Sequence, residues 1–251
     1  MSGVKDFLKG LLLRTDAETY GITKFMEFAA TQVASSDRVL DAGAGTLPYR
    51  RHFAHAHYEA TDFEDAFHEE YKSEYDFLCN LEAIPKPDNT YDVVLNTQVL
   101  EHVENPEAVL KEFFRVLKPG GKLFLTAPQG WGIHGAPHHF FNFTKYGLRS
   151  LFRKAGFESV SIEPRGGMFW YLGKRIRTLP NYLMAQYLFQ QDTGGRRKLK
   201  PQAGAFFLAP FYLLAFPFCF FLIPLLCFYL DPLDQTQDYT LGYACYCRKS
   251  F

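Results

Sequence analysis

The stretch that most constrains this chain is Arg38-Val39-Leu40-Asp41-Ala42-Gly43-Ala44-Gly45-Thr46. A short apolar run ends on an acidic residue and then on a Gly-x-Gly turn. That is the pattern of a strand buried on both faces, followed by a turn whose glycines let a ligand lie close to the backbone. A second strand-like run, Tyr58-Glu59-Ala60-Thr61-Asp62, ends on another carboxylate. It falls about twenty positions on, where a carboxylate can accept from both hydroxyls of a ribose. Together the two features describe a nucleoside-binding edge of a parallel sheet.

Gly43 and Gly45 by themselves also fit an ordinary tight turn. The dinucleotide fingerprint requires a third glycine where Pro48 stands. A pyrophosphate needs free amides at a helix start, and proline removes one. The rest of the chain decides between these readings.

Apolar and polar residues alternate in blocks along most of the sequence. Val4, Phe7, Leu8, Leu11 and Leu12 recur at helical spacing, and a second helix is predicted over residues 20–33. Strands are predicted at 38–42, 58–62, 75–79, 91–96, 122–128 and 157–163. Asn105 and Pro106 mark a helix start, Lys118-Pro119-Gly120-Gly121 its stop, and Gly156 closes a helix that begins at Thr144. Such alternation implies an α/β fold with helices on both faces of a parallel sheet. The segment 239–248 alternates and is read as a seventh strand. The expected organisation is a core over 1–166, an insertion over 167–238 and the final strand within 239–251.

Charge is balanced, 27 basic against 27 acidic residues among 251, so no strong field points to a nucleic acid. None of the five cysteines forms a Cys-x-x-Cys pair, so no zinc site is expected from them. Their odd number suggests reduced thiols in a cytoplasmic protein. The apolar run at Leu11-Leu12-Leu13 is too short for a signal peptide.

With these elements in place, the chain resembles a class I S-adenosylmethionine-dependent methyltransferase, most closely the subgroup that includes quinone-biosynthesis methyltransferases. Four segments carry the resemblance: Asp41-Ala42-Gly43-Ala44-Gly45, Asp62, the run from Tyr91 to Val103, and the run from Glu112 to Gly121. It covers roughly residues 20–165 and 239–248. It implies a seven-stranded, mostly parallel Rossmann-like sheet with the last strand antiparallel. It also implies S-adenosylmethionine as cofactor, with Asp41, Gly43 and Gly45 along the methionine and ribose. Asp62 would hold the ribose, Asn80 and Leu81 would frame the adenine, and Asn96 would begin the loop under the methyl donor. Two positions depart from the family: Leu47 stands where a third glycine is usual, and Asn80 where an aspartate often reads the adenine amine. The Asn80 amide oxygen can still accept from that amine.

Methyl transfer from a sulfonium needs alignment more than covalent help. A hydroxyl or carbon acceptor can also need a base. The segment after the fifth strand, Trp131-Gly132-Ile133-His134-Gly135-Ala136-Pro137-His138-His139, offers His134, His138 and His139 at the carboxyl edge of the sheet. Their other reading is a structural latch, with imidazoles bonded to backbone carbonyls. His102 is read as a packing residue, and His52, His55 and His57 as surface residues. No metal site is expected, because the histidine spacing fits no fixed ligand pattern.

Residues 203–230 carry no charge and are rich in phenylalanine. They exceed the roughly 20 residues that cross a bilayer. Yet the seventh strand must return to the sheet, and Pro210, Pro217 and Pro224 interrupt the run. The expectation is a hydrophobic hairpin dipping into one leaflet. Lys174, Arg175, Arg177, Arg196, Arg197, Lys198 and Lys200 would serve as anchors for anionic headgroups. A lid on the protein's own core, or a homodimer interface, would cover the same surface. The resulting expectation is a methyltransferase peripheral to the cytosolic or inner membrane face, acting on a lipophilic or lipid-linked acceptor. The rival is a non-catalytic membrane adaptor that keeps the fold; intact Asp41, Gly43, Gly45 and Asp62 weigh against it. A nicotinamide-dependent oxidoreductase is disfavoured by Pro48 and the fourth-strand motif.

Overall fold

The structure, a computed structural model, describes residues 2–63, 74–191 and 197–251. In chain order its elements are α1 (Ser2–Arg14), α2 (Ala17–Thr31), β1 (Arg38–Ala42), β2 (His57–Asp62), β3 (Phe77–Leu78), β4 (Tyr91–Thr97), α3 (Pro106–Val116), β5 (Leu117–Pro128), α4 (Lys145–Lys154), β6 (Ser159–Pro164), α5 (Met168–Leu188), β7 (Phe189–Gln191), β8 (Arg197–Leu199), α6 (Ala203–Pro217), α7 (Ile223–Leu230) and β9 (Gly242–Arg248). They group into two compact units, one of Ile22–Arg165 with Leu241–Phe251, the other of Met1–Gly21 with Gly166–Thr240.

The first unit is a seven-stranded sheet in the order β3-β2-β1-β4-β5-β9-β6. Its pairs are parallel from β3 through β5, and β9 runs antiparallel to both β5 and β6. The two-residue period of the strands assigns its faces. Leu40, Val94, Leu123 and Leu125 pack with Val109, Leu110 and Phe113 of α3 and with Leu148 and Phe152 of α4. Val39, Val93, Leu95 and Phe124 face the other way, against Ile22, Met26 and Ala29 of α2. Asn105 caps α3 by accepting from the Ala108 amide, and Thr144 caps α4 by accepting from Gly147. β5 begins earlier than expected, at Leu117, so Gly120-Gly121 lies within the strand. Gly120 takes a φ of +78° there, and the β4–β5 register shifts between Tyr91 and Val93.

The second unit corrects two expectations. Residues 1–21, read as part of the core, cluster with the insertion because their charges and rings are used there. Lys174 of α5 lies 2.7 Å from Asp16 and 3.3 Å from Glu18, and Arg177 donates to the Thr15 hydroxyl. Tyr20 meets Trp170 and Phe228 edge-on. Nor is segment 203–230 itself a hairpin. It is one continuous helical run, Ala203–Leu233, with a π-helical turn at Phe218–Leu222. Three prolines seven residues apart fall near one face of a helix, so their bends act in one direction and do not reverse the chain. The partner arm is α5. Gly173 on α5 leaves room for Cys227, whose Cβ would stand 2.9 Å from an added methyl, and the Gln202 amide donates to Tyr187. The turn between the arms carries the ribbon of β7 and β8.

Asp231 and Asp234 clasp the base of this helical pair. Asp231 accepts from the Gly167 and Trp170 amides at 2.9 and 2.8 Å, and Asp234 accepts from Met168 at 2.7 Å. Four amides at a helix start lack partners within the helix, and carboxylates satisfy them best. The expected lipid anchors are partly consumed by such contacts: Lys174 is buried in its ion pairs, and Arg177 also donates to the Phe220 carbonyl. Arg196 lies outside the described residues, as do the side chains of Arg197 and Lys198.

Candidate functional site

The carboxyl ends of β1, β2 and β4 meet at the glycine turn. Gly43 and Gly45 take φ values of +82° and +53°, which an L side chain rarely adopts. The Gly43 and Ala44 amides both donate to the Thr61 carbonyl, and the Gly45 amide donates to the Asp62 carboxylate at 2.7 Å. The second Asp62 oxygen accepts from the Phe63 amide. A Cβ at Gly43 would collide with the methyls of Val99. Gly43 is therefore required by the β4 loop that closes over it as well as by the turn itself.

Asp41 is only 2% exposed and accepts from the Tyr58 hydroxyl at 2.6 Å. Burial pushes its carboxyl up to about 6 against the pull of that hydrogen bond, and the neighbouring Asp62 charge adds to the rise. Asn96 is fully buried; its amide nitrogen donates to the Ala42 carbonyl at 2.8 Å, joining β4 to the turn. Its Oδ1 has no hydrogen-bond partner among the described residues. Leu81 is buried in the core, whereas Asn80 is exposed and accepts from the Glu82 amide. Leu47 occupies the left-handed region at φ 57°, a conformation natural to the glycine it replaces. It packs with Ala44, Ala60 and Tyr75 in a small buried cluster. The Tyr75 hydroxyl donates to the Gly45 carbonyl.

The histidines form a second group, at the ends of β4 and β5. A turn over Leu100–His102 follows Val99, and the loop after β5 lies across it. The His102 Nδ1 donates to the His138 carbonyl, and the Phe140 and Phe141 amides donate to the Glu101 carbonyl. The rings of His102 and His134 are 4.8 Å apart and those of His134 and His139 are 4.3 Å apart. His134 and His139 thus come together, but with His102, which the sequence reading set aside. His138 contributes its carbonyl to this group while its side chain is exposed.

Hydrogen bonding fixes the tautomers. A carbonyl only accepts, so the Nδ1 of His102 and of His134 must carry the proton, the latter donating to Gly132 at 3.0 Å. The Nε2 lone pairs of both rings are then open. His139 accepts the His134 amide at Nδ1, which leaves its proton on Nε2. Burial holds His102 below the usual imidazole range despite its bond to His138. It does the same for His139, with the His134 ring as a second cause. Neutral rings are what a proton acceptor or a metal ligand requires.

Val99, Tyr58, Tyr75 and His102 escaped the sequence reading of this site. Val99 and His102 lie within the quoted fourth-strand motif, but nothing there said which side chain covers the glycine turn. Tyr58 and Tyr75 carry no local signal, since their roles depend on pairing across strands.

Residues 40–125 match the family model described as a methyltransferase domain. Among curated relatives, a probable S-adenosylmethionine-dependent methyltransferase of Mycolicibacterium smegmatis is 35% identical over 96 residues, covering 36% of each chain. A ubiquinone/menaquinone biosynthesis C-methyltransferase of Salmonella arizonae is 48% identical over 124 residues, which cover 46% of this chain and 43% of the relative. The matches thus span less than half the length of these relatives. A solved [4+2]-cyclase, SpnF, aligns over 93% of this chain and 82% of its own at 20% identity and a TM-score of 0.55, a likeness of fold alone.

Proposed function

We propose that this chain, a class I S-adenosylmethionine-dependent methyltransferase by its domain and fold, transfers a methyl group to a lipophilic or lipid-linked acceptor at a membrane surface. The observation that carries the first half is the Gly45–Asp62 pair at the joined ends of β1 and β2. Asp62 is a half-buried carboxylate held in place by two backbone amides, ready to accept from ribose hydroxyls. The unpartnered Asn96 Oδ1 adds a buried acceptor that suits a donor group, such as an ammonium. The residues present therefore fit S-adenosylmethionine, which supplies an activated methyl group on sulfur.

The chain's own contribution is placement and proton removal. The glycine turn and Asp62 fix the donor; Val99 covers the turn. An acceptor hydroxyl or acidic carbon loses its proton to an Nε2 lone pair in the histidine cluster, with His134 as the base of choice. His139 adds a further imidazole to the same cluster, with its proton on the buried Nε2.

The lipophilic acceptor is supported by the quinone-biosynthesis name of a relative and by the run Ala203–Leu233. That helix is long and apolar enough to cross a membrane by length and composition, and only 11% of its most apolar window is buried. Phe206 and Phe207 are each 77% exposed. Because the insertion leaves the chain after β6 and rejoins it before β9, the helix is tethered at both ends to the sheet-bearing unit. A monomer in water gains nothing from such a surface. A labelled-donor assay with the purified chain and fractionated lipid extracts tests the whole reading. Label should appear in the apolar fraction; label confined to aqueous acceptors would refute the lipophilic substrate, and no transfer with intact donor binding would favour the adaptor.

A further inference from the structure

We infer that Glu101, His102 and His134 form a binding site for a first-row divalent metal ion. One ligand atom from each lies within 4.8 Å of the others. Glu101 is fully buried, and its Oε1 lies 3.9 Å from His102 Nε2. The two histidines arrive from different elements, the turn after β4 and the loop after β5, yet both have the same arrangement. Each Nδ1–H is fixed by a backbone carbonyl, His138 for one and Gly132 for the other. That is how proteins orient metal-ligating imidazoles: the outer nitrogen is bonded away, which sets the tautomer and aims the other lone pair.

Two neutral nitrogens and one carboxylate oxygen are a donor set for zinc, iron(II), cobalt(II) or manganese(II), and three protein ligands leave a position open for another oxygen. The spread of the three atoms exceeds the edge of a coordination tetrahedron, roughly 3.4 Å for bonds of about 2.0–2.1 Å. Movement of the exposed loop as a unit, which carries the His134 Nδ1–H bond to Gly132 along with it, closes that difference. His139 stands outside the set because its Nδ1 is occupied and its Nε2 holds the proton. A cation here would occupy the Nε2 lone pairs that take the acceptor proton in the metal-free cluster; in their place it would lower the pKa of a bound acceptor hydroxyl, and it would join the β5 loop to the β4 turn. The inference concerns the cluster that the proposed function uses, but it stands on the geometry alone and is read without methyl transfer.

The test uses full-length, tag-free protein, stripped with a chelator and titrated with Co2+ and Zn2+. One saturable site per chain is expected, with visible cobalt d–d absorption that Zn2+ displaces. Glu101→Gln and His134→Ala should each weaken binding at least about tenfold, while His57→Ala, at an exposed site on β2, should leave it unchanged. Circular dichroism and melting curves keep a binding loss separate from misfolding, and His134→Ala, on the loop, guards against failure of the buried variant. Absence of saturable binding, or binding indifferent to both ligand variants, would overturn the site. Loss on His57→Ala would assign the signal to surface histidines and overturn it equally. Transfer activity plays no part in the readout, so a failed methyltransferase assay leaves this result intact.

Discussion

The Gly45 amide and the Asp62 carboxylate stand 2.7 Å apart, so the turn after β1 and the end of β2 are locked as one edge. This bond gives Asp62 two duties. It shapes the glycine turn, and in the proposed function it also presents an acceptor to the ribose of the donor.

Asp62→Ala should therefore weaken S-adenosylmethionine binding by at least roughly tenfold, about 1.4 kcal/mol, the scale of a lost charge-assisted hydrogen bond. Asp62→Asn should lose less, since its amide oxygen can still accept from Gly45. Calorimetry on both variants decides; equal, unchanged affinities in folded protein would remove Asp62 from the site.

Asp41 makes the fold sensitive to pH. Its folded carboxyl titrates at about 6, raised from 3.8 chiefly by burial. The folded state thus holds the proton more tightly than the unfolded chain. The stability this contributes is present below the unfolded value and lost as pH rises through the folded one, a penalty on the order of 3 kcal/mol once both states are ionised. Asp41→Asn keeps an acceptor for Tyr58 without the charge. Melting curves from about pH 4 to pH 7.5 should show the native protein losing stability relative to this variant across that window. Parallel curves would mean the carboxyl is not displaced.

His134→Ala should lower kcat by about 10²-fold or more, in line with general-base contributions, while donor affinity stays within about threefold. The reason is position: His134 sits on the loop after β5, and the proposed donor contacts lie at the ends of β1, β2 and β4. Single-turnover rates and donor titrations separate the two quantities. A collapse of donor affinity would make the loop part of the cofactor site.

Membrane association should follow the exposed face of the long helix. Phe207→Glu with Leu214→Glu places charge at positions 77% and 71% exposed, with little effect on packing against α5. Native protein should float with anionic liposomes and the double variant should not, since each charge opposes insertion by about 2.5–3.5 kcal/mol at the centre of a bilayer. High salt should reduce flotation only in part, because apolar burial is not screened. Equal flotation of both proteins would place the contact elsewhere.

Much of the sheet was legible in the sequence because β1 and β4 are short apolar runs bounded by turn residues; the β1 run and its glycines needed no tertiary information. The end of β2 at Asp62 was legible from the carboxylate that closes the run. The insertion was not. Prolines at 210, 217 and 224 each forbid one helical hydrogen bond, and local reasoning turned three local costs into a reversal of the chain. The structure absorbs them with a π-helical turn and with packing against α5, an arm that mixes basic and apolar residues and so gave no clear signal. His102 was undervalued because its role depends on a carbonyl 36 positions away. Covalent distance hides such partners from any reading by spacing.

The clasp of Asp231 and Asp234 on the first turn of α5 brings the two ends of the insertion together. A segment whose entrance and exit are stapled side by side behaves as a plug-in part. Its arms can lengthen, shorten or change their surface without altering the register in which β9 slots between β5 and β6. A lineage could thus present the protein with another surface by exchanging the arms while the sheet stays as it is.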